Sequence, residues 1–558
     1  MVLLPKDLAA LAHSLYFLIA LTAATTSPSD QDHFDFIIIG GGTTGLAVAN
    51  RLSEIPDISV AVIEAGRDEG KNPNVTSVEG FGGSTGLSTA IDWLYATTQQ
   101  VYAGGKVLEC HAGKAWGGTS TINGMAYIRA ESAQIDARER VGNEGWNCDS
   151  LWPYHLKSER FETPTEVQLA AGASYVDSYH GRKGPRQRGL PSARFFVWPQ
   201  IWTARRMFGS MPRELIIILF GIGRILFYFK DMWNRTKWAE SNGTKALAEG
   251  VEYTAPDGSV KNLYANKEII LSAGSVRSPA ILELSGVGNP DLPTLCGENA
   301  IDQPNTFVAY ASNSTFSGMA SYVTYMTAYD ILGAKAETVA TEIAAQLKPW
   351  ADQVAEGSKN AISTSALEHL YQVQHDLIFA QDVPCVEILT TALGANVDSA
   401  FFTLLPFARG RVHISSADPA AYPAINLNYF MAEWDLTLQR KIAQTVARFW
   451  GTAPVSSIAG KRVQPPSTDL PINATDDEWD ARIQARVISA NHHLLGTAAM
   501  LPKELGGVDN TLTVYGTENV RVIDASILLA QVSGDLTSTL YTVAERAADI
   551  IQNKLGKK

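Results

Sequence analysis

The sequence predicts an α/β fold organised around a parallel, Rossmann-like sheet, and three stretches carry that expectation. Residues 34–66 read FDFIIIGGGTTGLAVANRLSEIPDISVAVIEAG: an apolar strand, a glycine-rich turn, a helix-like segment and a second strand ending in an acid. Residues 267–288 read KEIILSAGSVRSPAILELSGVG, a second strand entering a small-residue turn and a helix. Residues 520–552 repeat the pattern, with a strand ending at Asp524-Ala525 and a terminal helix behind it. Strands alternating with helices across the whole length of a chain point to a parallel sheet covered by helices.

The first stretch is the most specific. Gly40, Gly42 and Gly45, with Thr43 and Thr44 between the last two, form G-x-G-x-x-G at a strand-to-helix junction. Gly40 permits the tight turn, Gly42 lets a pyrophosphate approach the backbone, and Gly45 lets helix and strand pack closely. The helix start offers free N–H groups and a partial positive charge to phosphates. Glu64, at the end of the second strand, can accept hydrogen bonds from ribose hydroxyls and would repel the 2′-phosphate of NADP. The motif alone fits NAD and FAD equally.

Bulk properties set the frame. At 558 residues the chain exceeds one simple core, so two linked domains are expected. Hydrophobic residues make up 46% and charged residues 18%, which is the composition of a globular protein. A net charge of −12 argues against nucleic acid as a partner. Residues 1–24 carry Lys6, an apolar run and a small-residue end, the pattern of a secretory signal peptide. The run is interrupted by His13 and short for a membrane span, so no stable span is expected. Five sequons, at Asn74, Asn234, Asn242, Asn313 and Asn473, fit a glycoprotein that is secreted or resident in the secretory pathway or vacuole. Cys110, Cys148, Cys296 and Cys385 are too scattered for a zinc site or a disulfide scaffold, and leave one bridge or free thiols open. His369, His375 and His413 show no metal spacing, so no metal is expected.

Residues 113–136 read GKAWGGTSTINGMAYIRAESAQID. Gly117 and Gly118 allow backbone to lie against a flat or charged ligand. Together with the 274–288 segment, this stretch resembles the two signatures of the glucose–methanol–choline (GMC) oxidoreductases, in the family's order after the N-terminal fingerprint. The resemblance covers roughly residues 33–190 and 238–555. It implies FAD as the dinucleotide, and a split FAD-binding domain assembled from residues 33–150, 238–300 and 485–555. A substrate-binding domain of antiparallel sheet and helices would come from 151–237 and 301–484. The cofactor-facing positions it implies are Gly40, Gly42, Thr43, Thr44, Gly45, Glu64, Gly118, Thr119, Asn123, Gly124, Met125, Ala126, Gly274, Asp524 and Ala525. Some relatives carry a flavin-linked histidine before the signature asparagine; here Ile122 stands there, which implies non-covalent FAD. The C-terminal segment resembles the fungal secondary-metabolism branch that includes patulin synthase and versicolorin B synthase.

The family's chemistry is hydride transfer from an alcohol to flavin N5, with a histidine base in an H-x-x-G-T pattern. The matching run is Asn491-His492-His493-Leu494-Leu495-Gly496-Thr497, and register assigns the base to His493, with His492 as a neighbour pointing elsewhere. The family's second polar residue, histidine or asparagine, falls on Asp535 in Ser533-Gly534-Asp535. An ionised carboxylate only accepts hydrogen bonds. At ~4 Å from a growing negative charge, with an effective dielectric near 20, it would cost roughly 4 kcal/mol. A protonated Asp535 would instead donate and preserve alcohol oxidation. The sequence therefore predicts an FAD-dependent oxidoreductase acting on a small-molecule alcohol, with oxygen or another electron acceptor. The alternative is a non-redox cyclase or dehydratase, for which versicolorin B synthase gives a ring-closing precedent, or a catalytically impaired homologue.

A second departure lies at residues 193–237, where composition shifts to large apolar and basic residues. No strand for the adenine side of the cofactor is recognisable there, and the run from Leu215 to Phe229 reads as a buried or membrane-surface helix.

Overall fold

A computed structural model describes residues 32–76, 86–170, 175–188, 215–219, 225–229, 245–288, 295–471 and 473–556. The signal peptide expected over residues 1–24 lies outside the described residues. None of the helices among them is long and apolar enough to cross a membrane.

Strand β1 (His33–Ile39) leads through Gly40 into helix α1 (Thr43–Ser53), and β2 (Val60–Glu64) returns parallel to β1, with Phe36 opposite Val60 and Ile39 opposite Ile63. All five β2 residues are buried, as in a parallel sheet covered on both faces. β3 (Leu215–Leu219) adds to the far edge of β2, in parallel register from Val60–Leu215 to Glu64–Leu219. β4 (Ile225–Phe229), β5 (Ala248–Thr254) and β6 (Val260–Leu271) complete the row, so that the order is β3-β2-β1-β6-β5-β4.

This corrects the helix expected over Leu215–Phe229. The run is two short strands, and the first occupies the sheet position beside β2 that the sequence appeared to lack. The sheet also draws in residues that had been grouped with the substrate-binding part, 151–237. The physical reason is plain: a four- to eight-residue apolar run cannot be told from a helix by periodicity, and the β-branched Ile216-Ile217-Ile218 favours a strand.

Helix α2 (Gly274–Leu284) follows β6 and starts four residues before Ser278-Pro279, a pair that on its own reads as a cap and first helical position. Pro279 therefore sits inside it, where it cannot donate to the Ser275 carbonyl. Thr497 Oγ1 donates to that carbonyl instead, at 2.8 Å, and so removes the penalty that would have ended the helix.

The second layer is antiparallel. β7 (Pro304–Met326) pairs with β8 (Val386–Thr403) along most of its length. Helix α3 (Glu433–Gly451) packs on them. β9 (Ala459–Gln464) and β10 (Ser489–Ala490) pair with the other edge of β7. Residues 336–380, helical in pattern, form helices Ala336–Ala344, Leu347–Gly357 and Thr364–His375, with a π turn after them. β11 (Val520–Val522) returns to the first sheet, parallel to β6, and helix α4 (Leu536–Lys554) covers α1. Each sheet has its own large apolar core, one around Phe36, Ile38 and Leu271, the other around Phe401, Phe407 and Trp350. All four cysteines are free thiols.

One ion cluster ties α2 to the short strand Arg411–His413. His413 Nδ1 contacts Glu283, and its Nε2 lies 3.0 Å from Glu298 Oε1. Burial lowers the His413 pKa, but the two carboxylates outweigh it and hold the group at about 9. An unfolded histidine titrates near ~6.5, so this contribution to stability is complete below that pH and disappears as the pH rises through about 9. Thermal midpoints should fall across this window in the parent protein and fall less steeply in His413→Gln; equal slopes would contradict the assignment.

Candidate active site

The chain turns that end β1, β6 and β11 meet at one place. Gly40 N donates to Ile63 O, Gly117 N donates to Gly41 O, and Thr43 Oγ1 lies 2.8 Å from Ser120 Oγ. The fingerprint and the 113–126 segment thus lie backbone against backbone. Gly118 adopts φ +52, and a Cβ there would stand 2.8 Å from Gly42 Cα. A Cβ on Gly45 would fall 2.0 Å from Gly40 O, which gives this glycine the packing role expected of it.

Between these turns runs a cavity with about 1820 Å³ of empty space, its mouth included. Of the residues proposed from sequence, Gly40, Gly42, Thr43, Thr44, Glu64, Gly118, Thr119, Asn123, Gly124, Met125, Ala126, Gly274, Asp524, Ala525, His493 and Asp535 all line it; Gly45 does not.

Two acids are more occupied than their sequence positions implied. Glu64 accepts from the N–H of Gly41 and of Gly66, each at 2.7 Å, and burial pushes its pKa up to about 7. Each carboxylate oxygen retains a lone pair for a ribose hydroxyl. Asp524 accepts from Gly274 N at 2.9 Å, Ser278 Oγ at 2.6 Å and Ser526 N at 2.8 Å. Its carboxylate fastens the start of α2 to the C-terminal segment and so shapes the cavity wall. The residues present fit FAD: glycines of which Gly40 and Gly118 leave no room for a Cβ, the open start of α1, and an acid at the end of β2.

At the other end of the cavity stand His493 and Asp535. The β7–β10 pairing, Pro304 opposite Ala490, brings Asp302 and Gln303 beside the 491–493 turn. Asp302 accepts the backbone N–H of His493 at 2.8 Å, of Asn491 at 3.1 Å and of His492 at 3.2 Å. His493 Nδ1 lies 2.8 Å from Gln303 Oε1, an acceptor, and 3.0 Å from Asn491 Nδ2, a donor already engaged with Gln303 Oε1 at 2.9 Å; the shorter contact assigns the ring hydrogen to Nδ1. Nε2 is left with its lone pair, 3.6 Å from Asp535 Oδ1. His492 sits at φ +64 and, against expectation, also lines the cavity, its ring accepting the His111 N–H at 3.2 Å. Burial lowers the His492 pKa to about 4.

Asp535 is the N-cap of α4, but its side chain makes no capping hydrogen bond, and Oδ2 is buried without a partner. Burial raises its pKa, against the opposing pull of His493. Glu387 on β8 and Tyr325, directly opposite it on β7, lie within electrostatic reach of Asp535. Burial and the charge of Asp535 push the Glu387 pKa up to about 8. Two carboxyl groups in one buried volume cannot both ionise cheaply.

Sequence reasoning missed several of these residues: Asp302 and Gln303, the Glu387–Tyr325 pair, and Trp93, Tyr95, His111 and Arg277, which line the cavity. An aromatic residue in a sequence is by default a core residue, and nothing local marks the others.

Comparison with known proteins agrees with this geometry. Two family models described as GMC oxidoreductase match the chain, one over residues 34–195 and 215–305, the other over 406–544. The chain is 43% identical to the glucose oxidase-like protein fsoC of Humicola fuscoatra, covering 96% of this chain and 98% of that protein. It is 31% identical to a glucose oxidase of Penicillium chrysogenum, over 94% and 93%. Among solved structures, an FAD-dependent oxidoreductase from Chaetomium thermophilum superposes with a TM-score of 0.78 at 23% identity, over 94% of this chain and all of that one. A fungal aryl-alcohol oxidase gives 0.74 at 21%, over 94% and 100%.

Proposed function

Since the chain belongs to the GMC oxidoreductase family and takes FAD as its cofactor, we propose that it oxidises the CH–OH group of a small organic alcohol, with His493 as the base. FAD, when bound, supplies the hydride acceptor. The observation that carries the reading is the orientation of His493: Gln303 takes the Nδ1 hydrogen and leaves the Nε2 lone pair beside Asp535 at the cavity. A base held in one tautomer by a fixed acceptor can take a hydroxyl proton without prior rearrangement.

Asp535 has the second role. Its burial and unpartnered Oδ2 favour a protonated acid, which can donate to the same substrate oxygen. Phe402, with its ring edge-on to His493 at 6.2 Å, helps exclude water from that side. The buried Ile122 beside Asn123 supports non-covalent flavin; acid precipitation should leave the yellow colour in the supernatant. A small fungal secondary metabolite is the substrate class most in keeping with the resemblance. The leader-like residues 1–24 support a secretory route, which N-terminal sequencing of the mature protein tests.

The decisive experiment mixes the holoprotein, without oxygen, with primary and secondary alcohols and follows the visible flavin band. Bleaching in the parent is expected. If no alcohol bleaches the parent but one bleaches Asp535→Asn or Asp535→His, aspartate blocks oxidation and the acid–base reading without net redox takes its place.

A further inference from the structure

Glu387 is a buried acid that the catalytic reading does not use. Its side chain is 4% exposed, and Oε2 has no hydrogen-bond partner. A fold in β8 brings it to the site. Leu404 N donates to Cys385 O at 2.8 Å, just beyond the two ends of the strand, and Thr390 Oγ1 lies 2.9 Å from Ser399 Oγ. The strand therefore doubles back on itself, and the same register sets Glu387 level with Phe402, whose ring meets His493 edge-on. Asp535 comes from another direction, at the start of α4, and its Oδ2 is likewise buried without a partner. Two carboxyl groups thus meet in one buried region, each with an orphaned oxygen.

No fixed cation offsets them. Among the described residues Asp535 has one ion-pair contact, with His493 Nε2 at 3.6 Å, and Glu387 has none. While Gln303 holds the Nδ1 hydrogen, Nε2 presents a lone pair, so a neutral His493 gives an Asp535 anion no counter-charge. Burial opposes that anion, and only a protonated His493 favours it. Burial and the Asp535 charge oppose a Glu387 anion, whereas the hydroxyl of Tyr325, opposite it on β7, favours one. Burial, and then the two acids, raise the pKa of Tyr325 itself, which keeps that hydroxyl a donor. A histidine or asparagine at position 535, as in the family pattern, could donate to Glu387 with no further proton; aspartate can do so only as the acid. One hydrogen held between the two carboxyl groups satisfies an orphaned lone pair and removes one of two converging charges.

We propose that Glu387 is a positioning residue that acts through Asp535: the two carboxyl groups hold one proton in common, which keeps Asp535 available as an acid to higher pH than a lone aspartate would be. This rests on the reading that Asp535 donates to the substrate oxygen. The proton belongs to the pair rather than to either residue. A substrate oxygen within reach of Asp535 draws it to that side. The O–H bond at Glu387 is lost, one at Asp535 forms, and the negative charge moves to Glu387, beside Tyr325. No electron is transferred and no further reactant is needed. The charge then sits one side chain further from the oxygen that gains negative charge as His493 takes the hydroxyl proton.

The test has two arms, both on the holoprotein. The first needs no substrate. Infrared spectra across a pH titration follow the carbonyl band of protonated carboxyl groups in the parent, Glu387→Gln and Asp535→Asn. The parent should keep a buried-acid band through neutrality. Removing either carboxyl should lower the pH at which the other loses its band by about one unit or more. The coupling is mutual, so Asp535→Asn reads it from the other side if Glu387→Gln fails to fold. The second arm follows anaerobic flavin reduction against pH, with the alcohol that bleaches the parent fastest. The alkaline limit of the rate should move down by a similar amount in Glu387→Gln, while Glu387→Asp, which keeps a second carboxyl, should retain more of the parent's range. Two bands that titrate independently, each unmoved by loss of the other, overturn the proposal. So does an alkaline limit that stays in place in Glu387→Gln, because Glu387 would then act only through packing. If no alcohol bleaches the parent, alcohol oxidation fails as the activity, and the infrared arm alone decides whether the proton is shared.

Discussion

His493→Gln is expected to slow alcohol-driven flavin reduction by about 10²- to 10⁴-fold while leaving FAD bound. The size follows from what is removed. Glutamine can occupy much of the imidazole volume and donate or accept a hydrogen bond, but it cannot take a proton near neutral pH. The turn that carries His493 is held by the Asp302 carboxylate on three consecutive backbone N–H groups, none of which involves the imidazole. The substitution should therefore change chemistry without moving the wall of the cavity. Stopped-flow reduction under anaerobic conditions measures the rate, and the flavin-to-protein absorbance ratio checks the cofactor. A variant that retains more than about a tenth of the parent rate would remove His493 as the base. Asp302→Asn makes a useful contrast. It leaves the imidazole intact but weakens the three hydrogen bonds that aim it, so its loss of rate should be smaller and accompanied by lower thermal stability.

The parts of this molecule that were legible in its sequence are those encoded by neighbours along the chain. The turn at Gly40, the helix from Thr43 and the strand ending at Glu64 each depend on local φ, local apolar spacing or local capping, and all three lie where the residues imply. Local signals failed where a distant group changed the balance. Ser278-Pro279 reads as a helix start because proline forfeits a donor, yet Thr497, 222 residues away, satisfies the orphaned carbonyl and the helix begins earlier. Leu215–Leu219 reads ambiguously because its partner, β2, decides that it is a strand. The same logic governs the site. Motif register points to His493 and Asp535, whereas Gln303, whose Oε1 lies 2.8 Å from His493 Nδ1, arrives only through β7–β10 pairing. Glu387 likewise comes to Asp535 from the middle of β8, and no spacing along the chain announces it.

The second large effect separates glycines that the fold requires from glycines that the cofactor requires. In Gly45→Ala the new Cβ would stand 2.0 Å from Gly40 O and 3.0 Å from Ser272 Cβ, both in the packed junction of β1, α1 and β6. Neither neighbour is a flexible side-chain end, so the strain can be relieved only by parting helix from sheet, a cost of about 3 kcal/mol or more. A clear drop in thermal midpoint and poor recovery of folded protein are expected, with or without added FAD. Gly124→Ala is the opposite case. No protein atom lies within 4 Å of a Cβ built there, yet Gly124 lines the cavity beside Asn123 and Met125. Stripped of FAD, this variant should melt within a degree or two of the parent, since an unopposed methyl group costs about 0.5 kcal/mol at most. Loaded with FAD, it should lose most of the parent's ligand-induced stabilisation, because mass action passes a weaker dissociation constant directly into the midpoint. Equal FAD-induced shifts in parent and Gly124→Ala would mean that the backbone here does not approach the cofactor, and would confine the FAD cradle to Gly40, Gly42 and Gly118.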